Sequence, residues 1–282
     1  MTRTALASML RPLTAARARL VPEVRILMYH RVAPLAGYDQ LNVQPERFER
    51  QMAHVAGTGR AVDLSTAAAA LAAGTPAKPA IVVTFDDGYR DNLEHALPIL
   101  QRYGIPATIF VTSAFCGQSM RHPRYAAEPG RLHLDWDEVR SLSRTAGITI
   151  GSHTMTHPFL SRMTDESAWR EIEGSRREIE NRLGMLVRHF CYPSGDVTPR
   201  ERALVALAGY AAAVTVAPGG NRPGQDPHAL RRTEVTDRDD VHELALKLDG
   251  AFDPLHRVLH WRRLRAFARA RGDSRPSASG NP

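Results

Sequence analysis

The sequence predicts one α/β domain built on parallel strands, and three observations lead to that prediction. The segment Ile81–Phe85 is a run of apolar and β-branched residues that ends abruptly in two aspartates, which is typical of a buried parallel strand. Other short apolar strands alternate with segments of helical periodicity. The 282 residues suit a single large α/β domain, and 43% hydrophobic residues are enough for its core.

Asp86 and Asp87 follow this strand directly, and burying carboxylates without a cation or a donor is costly. Adjacent strand residues point to opposite faces, so the two can serve one site only if the chain turns, which Gly88 permits. For the pair taken alone, two interpretations stay open. One aspartate caps the helix that begins near Asp91 while the other pairs with Arg90, or the strand delivers both charges into a cleft.

A second predicted strand, Ile148–Gly151, leads to two histidines four residues apart, His153 and His157. This spacing places both imidazoles on one side of a single turn, where they can share a metal. One aspartate and two histidines leave a position open for water, as in catalytic zinc and non-haem iron sites. Thr154 and Met155 follow His153, so the glutamate of an H-E-x-x-H metalloprotease is absent and the spare aspartate becomes the candidate general base.

Three motifs in a fixed order carry a resemblance to a known family: Thr84–Gly88, Ser152–His157 and Phe190–Gly195. They resemble the motifs of the polysaccharide deacetylases, the NodB-homology group of carbohydrate esterases, and the resemblance extends over about residues 24–235. It implies a distorted (β/α) barrel of seven strands, similar to a TIM barrel, with the motifs at the carboxyl ends of successive strands.

The resemblance also implies roles for the residues of the first two motifs. Asp86 would be the general base, and Asp87, His153 and His157 would bind a divalent metal. Zinc is the expected metal, with cobalt, nickel and iron as alternatives.

His30 ends the predicted strand Arg25–Tyr29. Taken alone, it is interpreted as a strand-end histidine that bonds to a neighbouring loop. Many members of the family have a late strand with a Leu-x-His pattern that supplies the general acid, and this chain shows no such strand late in its sequence. The resemblance therefore implies a circular permutation, similar to that of the biofilm poly-N-acetylglucosamine deacetylases, with His30 as the general acid.

Cys191 stands where many family members have an arginine that orients the catalytic aspartate. The biofilm-type subgroup also lacks this arginine, and Arg232 is a candidate substitute. Tyr192, Pro193, Trp136 and Arg232 are expected to bind substrate, with the backbone N–H of Tyr192 as a donor to the oxyanion. For Trp136 the alternative is packing beneath the barrel rim.

The predicted reaction is hydrolysis of an N-acetyl group from an amino sugar of a glycan. Asp86 would take a proton from water and His30 would protonate the departing amine. Two alternatives belong to different classes: a metal-dependent deacylase of a lipid-linked sugar or another amide, and a carbohydrate-binding relic without catalysis. The four intact motif residues argue against the relic.

Further elements are predicted from apolar periodicity and turn residues. An alanine-rich helix over 65–73 is expected to begin with Ser65 as its cap. The glutamates of a long helix over 164–183, Glu171 among them, are expected on its solvated face. Other helices are predicted over 45–55, 91–103, from Asp135 with a capping box to Glu138, and over 198–209, and other strands over 107–112, 211–216 and 230–235.

The long segment 113–133 has no clear periodicity and is interpreted as a lid that faces the substrate. Three divisions of the chain are expected: a basic lead over 1–23, the barrel domain over 24–250, and a basic helix with a disordered tail over 251–282.

The formal charge is +7, and much of the arginine lies near the two ends of the chain. Arg11 and Pro12 interrupt the candidate core of a signal peptide, and no run of roughly 20 apolar residues is present. We therefore expect a cytoplasmic protein or one bound peripherally to the inner membrane face through its basic ends, with no nucleic-acid partner. The carbohydrate substrate is the main expected partner. Two cysteines indicate no disulfide framework.

Overall fold

The fold is organised around parallel strands, as the sequence predicts. The computed structural model describes residues 3–20, 22–74 and 78–272. The strands are β1 (Val24–Tyr29), β2 (Arg31–Val32), β3 (Asn42–Val43), β4 (Ala80–Phe85), β5 (Ala107–Val111), β6 (Ile148–Ser152), β7 (His189–Cys191), β8 (Ala212–Val214) and β9 (Thr233–Glu234).

Helices follow most of the strands and cover the outside of the sheet. They are α1 (Arg3–Leu20), α2 (Pro45–Gly57), α3 (Leu64–Ala72), α4 (Leu97–Tyr103), α5 (Ser113–Cys116), α6 (Trp136–Ser143), α7 (Asp165–Leu183), α8 (Pro199–Leu207), α9 (Val241–Leu248) and α10 (Asp253–Gly272). A π-helical turn at Asn92–Ala96 precedes α4.

Seven parallel strands form one curled sheet in the order β8-β7-β6-β5-β4-β1-β9. The residues that flank β9 bond to strands at both ends of this order: before β9 the N–H of Leu230 donates to Ala213 O of β8, and after β9 the N–H of Val235 donates to Met28 O of β1. The expected distorted seven-stranded barrel is confirmed. Its first strand in sequence, β1, lies between β4 and β9, next to the strand that carries the two aspartates.

Side chains of β4 alternate between two apolar clusters. Ile81 and Phe85 belong to the large cluster beneath the outer helices, while Val82 belongs to the smaller cluster that fills the barrel. By the same alternation Asp86 follows Val82 and Thr84 toward the barrel interior. A carboxylate is therefore delivered to the carboxyl end of the barrel core.

The predicted helix boundaries are mostly confirmed, with one cap placed wrongly. The capping box of Asp135 and Glu138 is present at the start of α6. Ser65 is not the cap of α3: the carboxylate of Asp63 accepts from the N–H of Thr66 and caps the helix two residues earlier. The sequence pattern favours Ser65 over Asp63 because the alanine-rich run begins at the serine.

Both terminal helices contact the barrel domain. Ala7 of α1 is buried with Leu246 and Phe252, and Arg11 forms an ion pair of 2.9 Å with Asp249. At the start of α10, Asp253 accepts from the buried Arg25 of β1. Among the described residues no helix is both long and apolar enough to cross a membrane. The tail predicted as disordered falls, over 273–282, outside the described residues.

Gly151 allows β6 to pack directly on β5, and this contact can be tested. A Cβ atom at Gly151 would lie 2.4 Å from Cδ1 of the Phe110 ring. We expect Gly151→Ala to lower the free energy of unfolding by about 1–3 kcal/mol, because the core cannot accept the extra carbon without strain. Urea denaturation measures it. Gly57→Ala is the control, since nothing lies within 4 Å of that site; equal stability of the two variants would contradict the packing argument.

Candidate metal centre

Asp86 lies at the end of β4 and forms a buried ion pair with Arg232. Both guanidinium ends donate to its two carboxylate oxygens, Nη1 to Oδ1 and Nη2 to Oδ2, each at 2.7 Å. Arg232 is 1% exposed and Asp86 is 3% exposed. Such a bidentate, charge-assisted pair fixes the orientation of the carboxylate.

Arg232 has a full set of acceptors in addition to Asp86. Its Nε donates to Thr215 O at 2.9 Å, Nη1 donates to the Thr84 hydroxyl at 3.2 Å, and Nη2 lies 3.1 Å from Cys191 Sγ. The structure thus places an arginine from the segment before β9 beside Asp86, while Cys191 of β7 contacts it as a neutral neighbour. Burial disfavours the charge of Asp86, but Arg232 outweighs that effect and lowers the pKa of this carboxyl group.

The backbone turns at Asp87, so the two aspartates do not follow simple strand alternation. Asp87 has φ 69° and Gly88 has φ 62°, both in the left-handed region. This conformation is unfavourable for a residue other than glycine and is tolerated mainly at functional sites. The turn separates the carboxylate of Asp87 from the Arg232 pair and directs it toward β6.

Two imidazoles approach Asp87 from the turn after β6. The Nε2 atoms of His153 and His157 each lie 3.4 Å from Asp87 Oδ1. The Nδ1 atom of His153 donates to Cys191 O at 2.8 Å, so Nε2 is the ring nitrogen that faces Asp87. Burial lowers the pKa of His157 to about 4, so its ring is neutral, the form that binds metals.

These residues fit a divalent cation. Asp87 Oδ1 is buried and accepts no conventional hydrogen bond within the described part of the chain. The ligand atoms of Asp87, His153 and His157 all lie within 4.8 Å of one another. Burial opposes ionisation of Asp87, yet the two histidines hold its pKa well below the ordinary value. One carboxylate and two imidazoles around an unsatisfied buried oxygen form a donor set for a transition metal.

A second cluster of donor atoms, from Asp86, His153 and Cys191, also lies within 4.8 Å. The Arg232 guanidinium already occupies both oxygens of Asp86 and contacts the sulfur of Cys191. A cation there would meet the positive charge of Arg232 directly. The Asp87 cluster is therefore the better cation site of the two.

Glu171 holds the turn that carries the two histidines, contrary to the prediction that it lies on the solvated face of α7. Its Oε2 accepts from the N–H groups of Met155 and Thr156, both at 2.9 Å, and its Oε1 accepts from the Thr156 hydroxyl at 2.7 Å. Glu171 is only 8% exposed. The prediction was wrong because the charge pattern of a helix does not show that a polar turn needs an acceptor from it.

His30 lies beside Asp86 at the end of β1. Its Nε2 is 3.9 Å from Asp86 Oδ2, too long for a hydrogen bond. The imidazole is partly exposed, with 15% of the side chain accessible. Register explains the position, because β1 pairs with β4 and Tyr29 lies opposite Phe85.

Three of the residues expected to bind substrate are buried. The N–H of Tyr192 donates to Val214 O at 3.3 Å, so it is not free to bind an oxyanion, and its side chain is fully buried with the hydroxyl bonded to His228 O. Pro193 is buried as well. Trp136 packs in the core with 9% exposure, which supports the alternative of rim packing. Arg232, the fourth, is enclosed around Asp86.

The segment expected to form a lid places two histidines, His122 and His133, beside Asp87, and the sequence analysis did not predict this. His133 Nδ1 donates to Asp87 O at 3.1 Å, and its Nε2 accepts from the N–H of His122 at 3.1 Å. The Nε2 atom of His122 lies 4.0 Å from Asp87 Oδ2. Burial lowers the pKa of His133 to about 4. A repeated histidine in an aperiodic segment is the signal that could have drawn attention to them.

The segment that carries these histidines is tied to β2 and to the loop between β2 and β3. Arg31 donates to both oxygens of Glu128 at 2.8 and 3.0 Å, and the Tyr125 hydroxyl donates to Asp39 at 2.6 Å. These bonds connect the segment to the barrel domain as one wall of the site.

Comparison with known proteins bears on these features. A family model for polysaccharide deacetylases matches residues 73–213, half of the chain. YxkH of Bacillus subtilis, provisionally assigned as a polysaccharide deacetylase, is 30% identical over 214 residues, which are 75% of this chain and 71% of YxkH.

The chain belongs to the polysaccharide deacetylase family.

Solved structures agree with this assignment at the level of the fold. The deacetylase PplD of Streptococcus pyogenes, determined with acetate, superposes with a TM-score of 0.69 at 22% identity, over 80% of this chain and 98% of PplD. IcaB of Ammonifex degensii gives a TM-score of 0.69 at 24% identity, over 80% of this chain and 97% of IcaB. The family model and YxkH thus confirm the resemblance inferred from three short motifs.

The Arg232 pair can be tested through stability alone. Arg232→Met leaves Asp86 buried without a partner, so we expect the free energy of unfolding to fall by about 3–5 kcal/mol. Adding Asp86→Leu to that variant should restore much of the loss. Urea denaturation of the two single variants and the double variant measures the coupling. Arg231→Met, a half-buried neighbour, is the control; additive effects of the two substitutions would contradict the pair.

Proposed function

We propose that this chain is a metal-dependent hydrolase that removes N-acetyl groups from the amino sugars of a glycan. The observation that carries the proposal is that two adjacent carboxylates at the end of β4 have different partners. Asp87, His153 and His157 form a donor set around an unsatisfied oxygen, and Asp86 beside them is held as a carboxylate by Arg232. Membership of the polysaccharide deacetylase family supports the substrate class.

Asp87, His153 and His157 would hold the metal, with zinc proposed and cobalt, nickel or iron as alternatives. When bound, a divalent ion supplies Lewis-acid chemistry, which makes water a stronger nucleophile and polarises an amide carbonyl. The chain's own contribution is a rigid set of donors, because the Nδ1 of His153 and the turn of His157 are fixed by Cys191 O and Glu171.

Asp86 and His30 are proposed to move the protons. Hydrolysis forms a carbon–oxygen bond from water to the acetyl carbon and breaks the carbon–nitrogen bond. Asp86, fixed by Arg232, would accept the proton that water loses, and His30 would give a proton to the amine nitrogen as it leaves. The 3.9 Å between them leaves each group free to bond to a reactant.

Metal dependence is the first test. We expect purified protein to release acetate from N-acetylglucosamine oligomers, to lose this activity after dialysis against a chelator, and to regain it when Zn²⁺ is restored. The reason is that the ion would supply the Lewis-acid chemistry that the side chains alone do not. An assay of released acetate measures all three outcomes. Full activity in the chelated protein would contradict the proposal. Stoichiometric metal without acetate release would contradict the N-acetyl sugar and favour a lipid-linked sugar or another amide.

The proposed roles of Asp86 as general base and His30 as general acid give a second test. We expect Asp86→Asn and His30→Ala each to lower kcat by roughly 10²–10⁴-fold, the usual contribution of a general base or acid. Metal content measured by atomic absorption should stay at the wild-type level in both. His54→Gln, on α2, is the control and should be fully active. Loss of metal in Asp86→Asn would assign that aspartate to the ligands instead.

A further inference from the structure

A cleft lies at the carboxyl end of the barrel, next to the proposed active site. Its volume is about 280 Å³, close to the lower limit of roughly 300–1,000 Å³ for small-molecule sites. Arg232 and Glu234 line the cleft, and the guanidinium of Arg232 also donates to Asp86 at 2.7 Å. One side chain therefore separates the cleft from the proposed general base.

Strand alternation explains why this part of the chain lines the cleft. In an extended chain, residues 232, 234 and 236 point to the same face, and Arg232, Glu234 and Thr236 all line the cleft. Glu234 pairs with Met28 of β1, two residues before His30. The segment through β9 therefore places polar side chains beside the strand that leads to the proposed general acid.

A second wall of the cleft comes from the loop between β2 and β3. Tyr38 and Gln40 line the cleft there, and the Gln40 amide donates to Glu234 Oε1 at 3.0 Å. Tyr38 is 49% exposed, and the guanidinium of Arg238 lies 4.1 Å from the centre of its ring. This contact holds an exposed aromatic ring at the cleft.

Helix α10 supplies a third wall with His256, Leu259 and His260. The ring of His256 stacks on Phe252 with centres 5.5 Å apart, and burial lowers the pKa of His256. The described residues that line the cleft all lie outside residues 73–213, the range that the family model matches. Membership of the family therefore assigns no role to this cleft.

The charges of the cleft favour a neutral polar ligand over an anion. Arg232 is already paired within the proposed active site, and the buried ammonium of Lys247 donates to Asp239 Oδ2 at 2.7 Å. Glu234 and Arg238 remain, and their opposite charges leave no excess that would select a phosphate or a carboxylate. Sugar hydroxyls both donate and accept, so they match a carboxylate that lies beside an amide and a guanidinium.

We propose that this cleft binds a second sugar unit of the glycan, next to the unit whose acetyl group is removed. An exposed aromatic ring beside polar side chains matches a sugar, because a pyranose ring has apolar C–H faces and hydroxyl groups at its edge. The inference rests on the proposed glycan substrate and deepens it: the preferred substrate is a chain of sugars, in preference to a single sugar or a phosphorylated one.

Calorimetric titration of the full-length protein with N-acetylglucosamine and with its trimer tests this proposal. The protein carries His30→Ala, which slows the proposed reaction during the titration and keeps the pair of Arg232 and Asp86. We expect the trimer to bind at least roughly tenfold more tightly than the single sugar. Tyr38→Ala should remove most of this difference because it deletes the ring, whereas Tyr38→Phe should retain it.

Leu259→Ala should reduce the preference for the trimer by a smaller factor, because this residue of α10 gives the cleft an apolar contact. Leu207→Ala, at a position on α8 that is 74% exposed, is the matched control and should leave the preference unchanged. Equal affinity for the trimer and the single sugar, or a preference that Tyr38→Ala retains, would overturn the proposal. Tighter binding of N-acetylglucosamine 1-phosphate than of the trimer would also overturn it and assign the cleft to an anion.

The titration separates this inference from the proposed reaction, because it measures binding and not the release of acetate. A preference for the trimer that depends on Tyr38 supports the cleft as a sugar site whether or not the wild-type protein releases acetate. If that preference is present and no acetate is released, the proposed hydrolysis is wrong and the inference stands.

Discussion

Two adjacent buried carboxylates are the constraint on which this site depends. Asp86 and Asp87 are only 3% and 2% exposed, and two like charges so close cannot both remain ionised without separate compensation. Arg232 compensates Asp86 through two bonds of 2.7 Å. Asp87 has imidazoles around it and an oxygen without a conventional hydrogen bond among the described residues. A divalent cation would compensate the negative charge of Asp87 and give this oxygen a partner.

The backbone makes this separation of charges geometrically achievable. Asp87 and His157 both adopt left-handed conformations, with φ 69° and 61°, which residues other than glycine avoid unless the surroundings impose them. Glu171 imposes the turn at His157 through the N–H groups before it, and His133 bonds to the carbonyl of Asp87. The strain at the ligands is thus balanced by hydrogen bonds from a helix and a loop distant in sequence.

Local signals in the sequence predicted the strand, the turn and the donor types, because Asp86 and Asp87 directly follow one apolar strand and His153 and His157 lie in the turn after another. The family motifs added the barrel. What local signals could not predict depends on contacts between distant segments. The N–H of Tyr192 is used by the neighbouring strand.

Glu171 of α7 is a second residue whose role depends on a contact between distant segments. Its position in the sequence is typical of a charged residue on a solvated face, yet it lies opposite the turn at Met155 and Thr156.

Anomalous diffraction from zinc-loaded crystals tests most directly the central claim that Asp87, His153 and His157 bind a metal. One peak within bonding distance of Asp87, His153 and His157 is predicted; a peak between Asp86 and Cys191, or none at all, would contradict it.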